Sequence, residues 1–133
     1  MGEIAKAKIM VVEDDKIISM EIRQRLKNMG YDVVAIATTG TDAIQIATET
    51  TPDMVIMDIK LDGYMDGIQA ADRIHFLLDI PVVFLTAYTD DITYQRAKET
   101  EPFGFISKPF DEMIFKTSLD FALSKRMQKP GLY

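Results

Sequence analysis

The chain has 133 residues, no cysteine, and 15 basic against 21 acidic side chains, for a net charge of −6. That length suits one domain with a core of its own. The missing cysteines exclude disulfides, thiolate metal sites and cysteine nucleophiles, and the acidic balance argues against a nucleic-acid surface. No apolar run approaches the ~18 residues that cross a bilayer, and no secretory leader opens the chain, so the expectation is a cytoplasmic domain with no membrane partner.

Taken in order, short uninterrupted apolar runs alternate with longer segments of helical spacing. The first run, Ile9-Met10-Val11-Val12, ends at Glu13-Asp14-Asp15. A helix is predicted from about Lys16 to Met29, where Ile18, Ile22, Leu26 and Met29 form one stripe and Gly30 suits a left-handed C-terminal cap. A second strand begins near Asp32, and a second helix follows Gly40-Thr41 with Ala43, Ile44 and Ala47 inward, ending before Thr51-Pro52. The third strand, Met54-Val55-Ile56-Met57, runs into Asp58, and the third helix is predicted over roughly Gly67 to Leu78. Val82-Val83-Phe84-Leu85 leads into Thr86. The fourth helix, about Asp90 to Thr100, is polar and expected to be lightly buried. Phe105-Ile106-Ser107 leads into Lys108-Pro109, and the last helix starts after Phe110 with Asp111 as N-cap and Phe115, Leu119, Ala122 and Leu123 inward. The nine methionines are scattered and read as core filler, and the single histidine, His75, reads as a surface or half-buried residue of the third helix. No linker or repeat divides the chain, so one domain over 1–133 with a core at about 7–127 and no output domain is expected. The ends, Met1 to Lys6 and Gln128 to Tyr133, are expected to fray.

Apolar runs without alternation suit strands covered on both faces, and five strand–helix units in strict alternation imply a doubly wound parallel sheet. For five strands the flavodoxin-like order 2-1-3-4-5 leads, with its ligand site at the carboxyl ends of strands one and three. Glu13-Asp14 and Asp58 end those two strands. A solvated loop acid, a strand-end threonine and a surface lysine are each the commoner reading of one such residue alone. Four polar strand ends meeting at one sheet edge make a different proposition.

Magnesium prefers oxygen ligands and keeps part of its water shell. Asp14 and Asp58 offer direct ligands, Glu13 a direct or water-mediated one, and the backbone carbonyl of Lys60 a fourth. The Asp58 carboxylate can also attack phosphorus to form an acyl phosphate. Thr86 offers a hydroxyl and Lys108 a point charge to the phosphoryl oxygens.

With these residues in place the chain resembles the response-regulator receiver domains of two-component signalling, from Ile9 to about Met127. The resemblance rests on Glu13-Asp14, Asp58, Thr86-Ala87 and Lys108-Pro109-Phe110, spaced by 44, 28 and 22 residues from Asp14 through Lys108, and on Met65-Asp66-Gly67-Ile68 entering the third helix. It implies a switch rather than a turnover enzyme: Asp58 is phosphorylated with Mg²⁺ by a sensor histidine kinase, and Thr86 and Phe105 relay the change. The face made by the fourth helix, fifth strand and fifth helix then meets a downstream protein or a second copy. It further implies a cis Lys108–Pro109 bond and an influence of Lys60 and Tyr88 on access of water. Two departures stand out. Leu61-Asp62-Gly63-Tyr64-Met65 is about one residue longer than the family's loop, and Phe105 replaces a frequent tyrosine. Two other classes compete. A phosphohydrolase needs an acid–base aspartate where Lys60 stands, and a flavin carrier needs a phosphate cradle where three acids stand.

Overall fold

A computed structural model of the chain describes residues 7–87 and 90–128, with side chains through Lys125. The expected fraying of residues 1–6 and 129–133, and the role given to Tyr88, lie outside the described residues. Ten elements alternate: β1 (Lys8–Val12), α1 (Lys16–Asn28), β2 (Asp32–Ala37), α2 (Gly40–Thr50), β3 (Met54–Asp58), α3 (Gly67–Leu78), β4 (Val82–Thr86), α4 (Asp91–Glu99), β5 (Gly104–Ser107) and α5 (Glu112–Gln128). The strands are all parallel, in the order β2-β1-β3-β4-β5. This is the flavodoxin-like sheet expected from the alternation.

Successive strand side chains point to opposite faces, which is why the runs show no polar alternation. Met10, Val12, Val55, Met57 and Phe84 face one layer with Ala43 and Ala47 of α2, Ala71 and Ile74 of α3, and Ala97 of α4. Ile9, Val11, Ile56, Leu85 and Ile106 face the other with Ile22 and Leu26 of α1, and Phe115 and Leu119 of α5. Coverage of both faces is complete for β3 and, but for one end residue each, for β1 and β4. β2 and β5 have a neighbour on one side alone and are largely half-buried.

Helix ends follow their capping chemistry. Asp15, Thr39, Asp66, Asp90 and Asp111 each accept from backbone N–H groups of the first turn. Asp90 is therefore the cap of α4 rather than its first residue, and Met29 the cap of α1 rather than its last. Gly30, at φ +91°, lets its own N–H reach Lys27 O at 3.0 Å and the Tyr31 N–H reach Leu26 O at 2.9 Å. These paired bonds end α1 in a Schellman motif. α4 buries only Ala97 within its length, as its polar sequence suggested. The methionine reading needs correction: Met10, Met54 and Met57 are buried, but Met20 and Met113 are exposed, because they fall on the outer faces of α1 and α5.

Candidate functional site

The parallel register brings the strand ends level. Val12 pairs with Met57, Asp58 with Leu85, and Thr86 with Ser107. Glu13, Asp14, Asp58 and Lys108 therefore meet in one open cleft of about 360 Å³, joined by Asp15, Ile18, Lys60, Asp62 and Ala87. A larger depression of about 490 Å³, beside Arg23, Lys27, Tyr31 and Asp32, lies at the start of β2 and away from the strand carboxyl ends.

Asp58 is 7% exposed and Glu13 only 1%. Lys108 Nζ bridges them, donating to Glu13 Oε1 at 2.9 Å and to Asp58 Oδ2 at 3.3 Å. Burial first, and then the neighbouring Asp58 carboxylate, holds the Glu13 carboxyl above the usual carboxylate range, despite opposing hydrogen bonds from Lys108 and the Asp15 amide. Burial works to lower the Lys108 ammonium, but its contacts with Glu13 and Asp58 outweigh that and leave it raised. Carboxylate oxygens of Glu13, Asp14 and Asp58 all lie within 4.8 Å of one another. Three hard anionic oxygens that close, one of them buried at a cost, form a donor set that fits a small divalent cation.

The remaining expected residues fall as follows. The Lys60 N–H donates to Asp58 Oδ1 at 3.3 Å and its exposed side chain lines the cleft mouth. Thr86 ends β4 half-exposed; its hydroxyl donates to Ala87 O at 2.8 Å and its carbonyl accepts the Lys108 N–H at 2.7 Å. Phe105 is half-buried, its ring 5.8 Å from Phe84 and 4.9 Å from Tyr94 between centroids. The Lys108–Pro109 peptide is cis. His75 is half-buried and 4.0 Å from Glu101.

Three features escaped the sequence reading. The Asp15 N–H donates to Glu13 Oε2 at 3.1 Å, fixing the buried acid. Asp66 closes a capping box with Gln69 and also pairs with Arg96 of α4 at 3.2 Å. Gly67 donates its N–H to Ile59 O at 2.8 Å, and a Cβ there would overlap the Asp58 carbonyl oxygen. The signal for Gly67 was its place one residue after a good N-cap; its contact with the Asp58 backbone was a tertiary fact. The longer loop turns at Gly63, φ +100°, and leaves Tyr64 fully exposed.

A doubly wound sheet with acids and a lysine converging at its switch point defines an α/β domain whose polar cleft lies at the carboxyl ends of its strands. The chain belongs to the response regulator receiver domain family, whose model matches residues 9–120. That membership ties it to two-component signalling. It is 31% identical over 118 residues to the transcriptional regulatory protein PdtaR of Mycobacterium tuberculosis, covering 89% of this chain and 57% of that protein. It is 31% identical over 126 residues to the phyllosphere-induced regulator PhyR of Methylorubrum extorquens, covering 91% and 46%. The chain thus spans about half the length of the curated relatives it matches. Among solved structures, the signal receiver domain of a modulated diguanylate cyclase from Desulfovibrio desulfuricans G20 superposes with a TM-score of 0.89 at 31% identity, over 94% of this chain and 99% of that one. The N-terminal domain of a response regulator/sensory box/GGDEF protein from Carboxydothermus hydrogenoformans gives 0.83 at 34% identity, over 91% and 97%. Among the described residues no helix is long and apolar enough to cross a membrane.

Proposed function

We propose that this domain is a phosphorelay switch in which Asp58 accepts a phosphoryl group from a phosphohistidine of a sensor kinase. The observation that carries the proposal is the Asp58 carboxylate, buried at a strand end and sharing the Lys108 ammonium with Glu13. An Asp58 oxygen attacks phosphorus, the P–N bond to the donor imidazole breaks, and that ring keeps the electron pair and takes up a proton. Lys108 then shifts from the carboxylates to a phosphoryl oxygen, and the Thr86 hydroxyl turns from Ala87 O to another. Glu13, Asp14, Asp58 and the Lys60 carbonyl would hold a magnesium ion, which would neutralise phosphoryl charge when bound. With Lys60 in place of an acid–base aspartate, the domain holds the acyl phosphate as a signal rather than turning it over as an enzyme.

Exposed Ile17 and Met20 on α1, the helix that Asp15 of the cleft caps, give the phosphodonor protein an apolar footing. The output leaves on the other side. Drawing Thr86 and Lys108 inward moves the chain beside Phe105, whose ring already rests on buried Phe84, and beside Tyr94 of the lightly anchored α4. Elements with few buried contacts are the ones that shift most cheaply. Exposed Tyr94, Ile114 and Phe121 on the α4–β5–α5 face then meet a downstream protein or a second copy. Hydrogen exchange with and without a beryllofluoride phosphate mimic tests the route. Changes should concentrate in residues 91–107 and the first turns of α5; changes concentrated in α2 and α3 would reject it.

A further inference from the structure

Lys108 opens the four-residue turn between β5 and α5, and its ammonium reaches the carboxylates only if that turn keeps its path. Three contacts hold the turn from within: the Lys108 N–H to Thr86 O at 2.7 Å, the Asp111 cap on Ile114 at 2.7 Å, and the Phe110 ring on buried Phe115, 5.0 Å between centroids. A fourth comes from outside. The Arg25 guanidinium of α1 lies over the Phe110 ring, 5.3 Å from its centroid. It is anchored by Glu21 one turn back at 3.3 Å and reaches Glu112, the first residue of α5, at 3.9 Å.

Both acids are more than half exposed, so as ion pairs they contribute little. Arg25 itself is mostly covered, and its Nε is buried with no hydrogen-bond partner among the described residues. A covered donor left unpaired is unfavourable, so contact with the Phe110 ring, more than the one long hydrogen bond from Nη2 to exposed Glu21, maintains the placement. A planar guanidinium can lie flat on a ring while its edge meets carboxylates; an ammonium cannot. Beside this contact a groove of about 310 Å³ separates α1 from the turn, lined by Ile18, Glu21, Ala87, Lys108, Pro109 and Phe110. The turn is therefore not packed tightly onto α1, and Arg25 is the strut across the gap.

We infer that Arg25 is a positioning residue for Lys108: by clamping Phe110 it fixes the β5–α5 turn relative to α1, the helix that follows the acids Glu13 and Asp14. The inference rests on the proposal that Lys108 assists phosphorylation of Asp58. Arg25→Gln keeps most of the stem and removes the planar cation, and Arg25→Lys keeps the charge without the planar group.

The test joins two measurements on the full chain. Hydrogen exchange of Arg25→Gln should quicken at residues 107–112 while α1 and the sheet keep their protection; a merely structural loss would spread through α1. Labelling by acetyl phosphate with Mg²⁺ should slow about fivefold, the factor expected for losing a half-buried cation–π contact, with Arg25→Lys restoring only part of it. In a Lys108→Ala background the Arg25 substitution should have no further effect. Unchanged exchange at 107–112, or an equal slowing with and without Lys108, would overturn the inference. If wild type takes no label at all, it is the phospho-acceptor reading that fails, and the exchange pattern alone then decides whether Arg25 holds the turn.

Discussion

Neutralising Asp58 should make the metal-free protein more stable while abolishing its proposed chemistry. In the cleft Asp58 has two carboxylate neighbours within 4.8 Å and one ammonium at 3.3 Å. At an effective dielectric of about 20, each like pair at that distance repels by about 3.5 kcal/mol, and the Lys108 contact returns about 5 kcal/mol. Asp58→Asn removes two repulsions and one attraction, for a net gain of about 2 kcal/mol, and leaves Lys108 paired with Glu13 at 2.9 Å. Asp14 is exposed, so solvent screening brings the expectation to about 1–2 kcal/mol. For a domain of this size that is a rise of about 3–6 °C in Tm. The assay is thermal unfolding of both proteins in excess chelator at neutral pH, repeated with millimolar Mg²⁺. The gain should shrink or reverse with the cation, which offsets the same repulsion in wild type. A variant that melts below wild type in chelator would refute the view that the acids strain one another.

Three further outcomes follow from the geometry. Asp14→Ala should greatly weaken Mg²⁺ binding by calorimetry, because it removes the most accessible of three carboxylates; unaltered binding would reject the ligand set. Gly67→Ala should lower stability by at least about 2 kcal/mol in urea unfolding, since the added methyl meets the Asp58 backbone rather than a flexible side chain, and an unshifted midpoint would contradict that contact. The third concerns pH. Glu13 has a folded-state pKa raised above its ordinary 4.5, so the folded, metal-free protein holds this proton more tightly than the unfolded chain. The stability from that difference is complete below the ordinary value and lost as pH rises through the folded one. Without divalent cation, wild-type stability relative to Glu13→Gln should therefore fall as pH rises above the ordinary carboxylate value, and a flat difference would argue against the buried acid.

The strand–helix alternation and the four polar strand ends were legible because each rests on local pattern, and the sheet order followed from the alternation by the few topologies it allows. Buried strands read as unbroken apolar runs, and a polar residue directly after such a run must stand at the sheet's carboxyl edge. Helix limits were legible where caps are strong, as at Asp66 and Asp111, and drifted by one residue where Asp90 and Met29 were counted inside rather than at the cap. What stayed hidden depends on neighbours distant in sequence. Arg25 on Phe110, Arg96 on Asp66 and the seat of Gly67 on Asp58 join residues with no shared periodicity. The left-handed residues Thr51, Asp79 and Glu101, which end α2, α3 and the α4 turn, run against ordinary preference, and for β-branched Thr51 no local signal points that way. Exposure of Met20 and Met113 was missed because methionine is as common on a contact surface as in a core.

The most direct measurement is peptide mass mapping of wild type after brief treatment with acetyl phosphate and Mg²⁺, with hydroxylamine used to cleave any acyl phosphate. One phosphoryl increment should appear on the peptide that contains Asp58, require Mg²⁺, vanish with hydroxylamine and be absent from Asp58→Asn. An increment on another residue, or one that persists at the normal rate in Asp58→Asn, would contradict the assignment of Asp58 as the acceptor.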